Sequence, residues 1–413
     1  MKLINLFLIL NILFLLISCE ITNRVTTTTT VNNNITELVL WCNDTEAKGF
    51  ESLNDSLLKN SNIRLKIEIK SAPRTDFLNT FQTGSSPDII VGGHDWVGEL
   101  AKKGLIADIT ILEDIKTKFI KKSTDGFYYR NKLYGIPYSI DSLILFYNKN
   151  LISTPPKTFE DLINVAKPMT DVSSDKYGFL YGIQEDFFMN FPFVGSQGGY
   201  IFKNYDNSYD ITDIGIGNAG AIEGFEFIKK LVNDGIVPYS TNYLKVEEAF
   251  TQGRVAIIME SSRNIDFYKK NISNLGIADL PTLNNKPLKS LIVSRGVMIS
   301  SQSTKKSKCV DFIINYYTTY QAQLLLYQNI KKTPAFTLLV NDIGKSNPEY
   351  LSVYNSIDNG ELIPNLKAMA VVWNYTGIML YKITNNTMPI SEAVKEAVDI
   401  IRSEIYKKFD RYN

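Results

Sequence analysis

Hydrophobic and polar positions divide this chain into a short apolar front, a polar stretch and a long body in which buried-looking runs alternate with amphipathic ones. Residues 3–17 are apolar except for Asn5 and Asn11, too short and too polar for a stable membrane span. Residues 20–37 are polar and of low complexity, with threonine at 26–30 and asparagine at 32–34. Such a stretch buries too little apolar surface to offset its ordering entropy and reads as a flexible tether. The body opens with 38–42, a near-continuous apolar run expected to be a strand buried on both faces. A helix is expected over 50–59, then an alternating strand over 63–69 and a helix over 76–82. A second buried strand is expected over 88–91.

This strand–helix alternation predicts a parallel α/β sheet. In such sheets ligands bind beyond the carboxyl ends of the strands, which singles out Asn43, Asp44, Asp95 and Trp96. Further on, 135–138 reads as a turn and 143–147 as a strand. Thr158 is placed to cap a helix beginning at Phe159. Amphipathic helices are expected over 220–232, 246–252 and 390–407, and strands over 255–259 and 293–300. No later segment reaches spanning length.

The front of the chain gains meaning from its chemistry. Lys2 supplies a positive start, and the apolar run ends in Leu16-Ile17-Ser18-Cys19, the pattern of a bacterial lipoprotein cleavage box. The expectation is a signal peptide over 1–19, diacylglycerol on the Cys19 thiol and a tether to residue 37. That places the protein at the cell membrane, on its extracytoplasmic face, with the lipid as its only anchor. The body is too long for one typical core and suggests two domains. Among 413 residues the net charge is +1, so neither nucleic acid nor an acidic partner is indicated. Cys42 and Cys309 are expected to be buried free thiols. One histidine, His94, leaves no His-rich metal site and reads as a hydrogen-bonded structural imidazole. No cofactor or metal is called for.

Several segments together resemble the family 1 extracellular solute-binding proteins, the receptors of ABC importers, and among them the maltose/maltodextrin-binding branch. The most specific are Ser86-Pro87-Asp88-Ile89-Ile90 with Gly93-His94-Asp95, and Ile144-Leu145-Phe146-Tyr147-Asn148-Lys149 with Pro155-Pro156-Lys157-Thr158. Gly198-Gly199-Tyr200, Glu361-Leu362-Ile363-Pro364-Asn365 and Trp373 add to them. The resemblance implies an α/β, two-lobed periplasmic-binding-protein fold of type II, its lobes joined by strand crossovers near 139–143, 292–296 and 346. One lobe would comprise 38–139 plus 295–345, the other 140–294 plus 346–413.

Sugar binding uses carboxylates and amides for hydroxyls and aromatic faces for pyranose rings. The resemblance carries such roles onto Asp44 (if one residue is deleted there), Asp95, Asp141 in place of a glutamate, Glu185, Phe187 and Trp373. Gly92 stands where the family has a stacking tryptophan, and Trp96 where it has an arginine. Arg263 stands where it has its main second-lobe tryptophan, either to pair with an anionic sugar or to bond hydroxyls. Asn374 and Gly377 replace an aromatic and an arginine, with Tyr375 as a nearby substitute. On residue type alone, Trp373 and Phe187 would be core aromatics, and Asp44 and Asp95 helix caps.

The function implied is capture of a sugar or oligosaccharide by lobe closure and delivery to ABC permease subunits, by a monomer and without catalysis. Three rivals are weaker. Asp95, Asp141 and Glu185 could supply a glycosidase pair, a metal receptor would want clustered ligands, and an adhesin would leave no sequence trace.

Overall fold

The computed structural model describes residues 35–111, 113–184, 186–205 and 208–409. Cys19, nearly all of the tether and Glu185 therefore lie outside the described residues. The first strand, Thr36–Cys42, starts two residues earlier than its apolar run, because the Thr36 N–H reaches the Asn62 carbonyl at 2.8 Å.

Thr36–Cys42 lies between Ile63–Ile69 and Ile89–Gly93, parallel to both. The long strand Leu291–Ser300 runs antiparallel beside Ile89–Gly93 and also pairs with Ile136–Asp141, Ile106–Ala107 and Glu361–Leu362. A second sheet is ordered Leu275–Ala278, Leu143–Asn148, Val255–Ser261, Tyr177–Leu180. Every residue of its two middle strands is buried, as expected for runs such as Leu-Ile-Leu-Phe covered on both faces.

Two expectations are corrected. The helix over 50–59 is two helices, Asp44–Glu51 and Asn54–Ser61. At the break the Ser52 hydroxyl donates to the Gly49 carbonyl (2.7 Å), a local bond that competes with helix continuation. The turn expected at 135–138 is the start of the strand Ile136–Asp141. Pro137 is tolerated because it pairs with Gly296 at a register shift, and sheets admit proline at bulges and edges. The strand's outer edge is covered by Thr333 to Ala335, through Ile140 N–H to Thr333 O and Ala335 N–H to Tyr138 O, both 3.0 Å.

Ser142 alone separates the last residue of the first sheet's strand, Asp141, from Leu143 of the second. Buried hydroxyls satisfy the backbone at this passage. Ser290 Oγ accepts from Leu143 N–H (2.9 Å), Ser356 Oγ donates to Leu143 O (2.7 Å) and Ser142 Oγ donates to Val353 O (3.3 Å). His94, fully buried, works in the same way. Its Nδ1 accepts from Ser294 N–H (3.0 Å) and its Nε2 lies 2.9 Å from Ile363 O, which requires the Nε2–H tautomer. Cys42 and Cys309 are buried free thiols, and burial pushes them up to about 12 and about 11.

Burial lowers the His94 pKa, against the pull of Asp95 and its two backbone bonds. A depressed histidine contributes stability that is present above its unfolded pKa near 6.5 and lost as pH falls below it. His94→Ala is expected to lower unfolding free energy by about 2–3 kcal/mol at pH 8, through two unsatisfied backbone groups. The deficit should shrink below pH 6.5, as read by denaturant unfolding at several pH values.

Candidate functional site

The first sheet contributes one wall through the carboxyl ends of two neighbouring strands. After Thr36–Cys42, Asn43 caps Asp44–Glu51 and shares a capping box with Glu46: Asn43 Oδ1 accepts from Glu46 N–H at 3.1 Å, and Glu46 Oε2 from Asn43 N–H at 3.3 Å. The cap is thus Asn43, and Asp44 stands exposed in the first turn, where its charge suits the helix dipole. Glu46 is fully buried. Its Oε1 accepts from Tyr138 OH (2.5 Å), Arg295 Nε (2.8 Å) and Arg295 Nη2 (2.7 Å). Burial works to raise the Glu46 pKa, but Arg295, Lys332 and these hydrogen bonds outweigh it and hold the carboxyl below its ordinary value.

After Ile89–Gly93 the chain turns through His94–Trp96, and the glycines explain how. A Cβ on Gly92 would lie 2.1 Å from Trp96 Cζ3, and one on Gly93 would lie 2.2 Å from Asp95 Oδ1. The Trp96 ring therefore lies directly on Gly92, in the space a larger residue there would take. Asp95 folds back over Gly93 and caps neither following helix. Both remain partly exposed, and the Arg295 guanidinium carbon is 5.9 Å from the Trp96 ring centre.

Where the chain passes between sheets, Asp141 is 5% exposed and accepts from Ser262 Oγ at 3.4 Å. Burial raises its pKa, against the combined pull of Lys332, Arg263 and Arg295. Lys332 is half-buried; burial and then the Arg295 charge lower its pKa, while Glu46 and Asp141 oppose them. Charges from both sheets thus converge on Asp141.

The second sheet supplies the other wall. At the end of Val255–Ser261, Glu260 is 3% exposed and accepts from Ser261 N–H at 2.6 Å. Arg263 follows, exposed, and its charge acts on Asp141, Glu260 and Asp186. Asp186 caps the helix Phe187–Ser196, accepting from Met189 N–H (3.1 Å) and from the Tyr243 hydroxyl. Phe187, 2% exposed, packs edge-on against the half-buried Trp373 at 6.3 Å.

Asp95, Trp96, Asp141 and Arg263 are therefore brought towards one seam, with Phe187 and Trp373 joined to Asp186 at its second-sheet side. Tyr375 is not. Two residues beyond Trp373 on Met369–Thr384, it lies about 200° around the helix, on the side of Lys408. Glu46, Arg295, Lys332 and Glu260 were missed. The one signal for them was the Asn43–Glu46 capping-box spacing.

Burial raises the Glu260 carboxyl from 4.5 to about 7, against its Ser261 hydrogen bond and Arg263 and with help from Asp186 and Glu247. A carboxyl shifted upward contributes stability that is present below its unfolded pKa and lost as pH rises to the folded one. Glu260→Gln is expected to match the parent near pH 4 and to exceed it above pH 7 by up to about 3 kcal/mol, measured by denaturant unfolding across that range. Gly92→Ala should drive the Trp96 ring from its seat and shift the tryptophan emission, with at most about 1–3 kcal/mol of overpacking cost.

Known proteins resemble this chain along most of its length. The family model for bacterial extracellular solute-binding proteins matches residues 58–350. The chain is 27% identical over 385 residues to the galactooligosaccharide-binding protein of Bacillus subtilis (strain 168), covering 90% of each. It is 26% identical over 370 residues to the maltodextrin-binding protein MdxE of the same organism, covering 87% of this chain and 86% of that one. It is also 26% identical over 339 residues to a maltooligosaccharide ABC transporter solute-binding lipoprotein of Streptococcus pneumoniae (strain ATCC BAA-255 / R6), covering 79% and 78%. A crystal structure of a cyclo/maltodextrin-binding protein complexed with maltotetraose superposes with a TM-score of 0.85 at 24% identity, covering 91% of this chain and 98% of that one, and gives the two-lobed periplasmic-binding fold. The chain belongs to the bacterial extracellular solute-binding protein family.

Proposed function

We propose that this chain is the receptor of a carbohydrate ABC importer, capturing an oligosaccharide between two lobes and handing it to the permease. The observation that carries the reading is the meeting of the two sheets at Asp141, whose carboxylate accepts from Ser262 Oγ just beyond Val255–Ser261 at 3.4 Å, with the charges of Lys332, Arg263 and Arg295 acting on it. A ligand in that seam would touch both lobes at once, and only groups that meet in the closed form can drive closure. The lobes are taken as 38–139 plus 295–345 and 140–294 plus 346–413. Asp95, Trp96, Asp141, Glu185, Arg263 and Trp373 are assigned to the ligand, Asp44 to the rim, and Phe187 to the support of Trp373.

The same reading makes the protein a monomer that binds without chemistry and is held to the membrane by lipid on Cys19. The names of the relatives, two of them maltodextrin or maltooligosaccharide binders and one a galactooligosaccharide binder, support the ligand class. The word lipoprotein in one of them supports the anchor.

A thermal-shift and calorimetric screen over maltodextrins and galactooligosaccharides is the direct test. Saturation at 100 times Kd should stabilise the protein by about 2.7 kcal/mol, solution scattering should show compaction, and the recovered sugar should be unshortened. Trp373→Ala should weaken binding by roughly 10- to 100-fold, about 1.4–2.8 kcal/mol. No stabilisation by any oligosaccharide, or shortened products, would overturn the reading. Cys19→Ala should abolish incorporation of radiolabelled palmitate and release the protein from membranes.

A further inference from the structure

The Glu46–Arg295 pair is not among the positions that the family resemblance carries over, yet it sits beside those that are. Arg295 projects from Leu291–Ser300 at the register position facing Gly93 on one side and Ser139 on the other. Its guanidinium is therefore held between Glu46, in the first turn of the helix that follows Thr36–Cys42, and Trp96, in the turn that follows Ile89–Gly93. Nε and Nη2 both bond to one oxygen of Glu46, the same oxygen that accepts from the Tyr138 hydroxyl. A guanidinium has five N–H donors, so this grip leaves others unused. The Arg295 side chain keeps 17% of its surface exposed, whereas the Glu46 side chain has none. The pair thus presents a fixed, planar donor group whose charge is already balanced from behind.

Resting on the receptor reading above, we propose that Arg295 is a specificity-determining residue of the sugar seam. Its remaining N–H groups bond the hydroxyls of the sugar unit stacked on Trp96, and Glu46, as a positioning residue, makes that contact selective for neutral over acidic saccharides. The planar fork suits two adjacent oxygens. The buried carboxylate behind it repels a ligand carboxylate at short range while leaving neutral hydroxyls unaffected.

The test is calorimetric titration of the full chain with maltotriose, galactotriose and the same trisaccharides carrying one uronic acid. Wild-type protein should bind a neutral trisaccharide roughly tenfold or more tightly than its acidic counterpart. Glu46→Gln leaves the guanidinium uncompensated and should reduce or invert that ratio. Arg295→Met should weaken the neutral ligand roughly tenfold or more, and Arg295→Lys should not rescue it, because an ammonium lacks the fork. Should either single variant fail to melt cooperatively, Glu46→Gln with Arg295→Met removes both charges and keeps the helix cap; it should fold and still bind the neutral ligand roughly tenfold more weakly than wild type. An unchanged ratio in Glu46→Gln, or wild-type affinity in a folded Arg295→Met or double variant, overturns the assignment while leaving the receptor reading intact. A wild-type protein that binds none of the panel overturns both.

Discussion

The buried ion pair between Glu46 and Arg295 is the contact on which the first sheet's wall depends. It joins residues 249 positions apart, one in the first turn of the first helix and the other on the long strand Leu291–Ser300 of the first sheet. Taking both charges out of water is costly, and an apolar pair of equal volume is often as stable or more so. Stability alone is therefore a poor account of its presence. What an apolar pair cannot do is fix direction. Glu46 closes the capping box at Asn43 and receives Tyr138 from a neighbouring strand, so the guanidinium is set against three elements before any ligand arrives.

The seam between the sheets obeys a related constraint. Backbone leaving one sheet for another loses its ladder partners, and buried N–H and C=O groups must be satisfied elsewhere. The chain answers with short hydroxyls: Ser142, Ser262, Ser290 and Ser356 are all buried and each hydrogen-bonds backbone at the crossing, while the buried Ser294 donates to Ser139 O within the first sheet. Serine is small enough to let strands approach and polar enough to replace a missing ladder bond. Such groups can exchange partners without opening a cavity, which suits the lobe closure proposed above.

The strands and most helices were legible because burial on one or both faces leaves a period in the sequence. Leu143–Asn148 and Val255–Ser261 declared themselves in this way, and Thr158 showed its cap, accepting from Asp161 N–H at 3.1 Å. The errors lie where a long-range partner overrides a local signal. Pro137 reads as a turn until Gly296 provides the register shift that accommodates it. Glu46, Arg295 and Glu260 look like surface charges, since nothing local says that each will be buried. Tyr375 could have been rejected from helical spacing alone, because a residue two positions from Trp373 faces away from it. Glu185 stays with the expectations, outside the described residues.

Gly92 and Trp96 are better understood as one feature than as two departures from the family pattern. A tryptophan on the strand would point its ring from residue 92; here the strand carries no side chain and a ring four residues later lies over the bare backbone. With tryptophan at 96, the position where the resemblance expects an arginine is taken, and the Arg295 guanidinium lies 5.9 Å from the ring. Chemistry expected at one position can be supplied from another, which is why position-by-position reading finds the class of receptor more readily than its ligand.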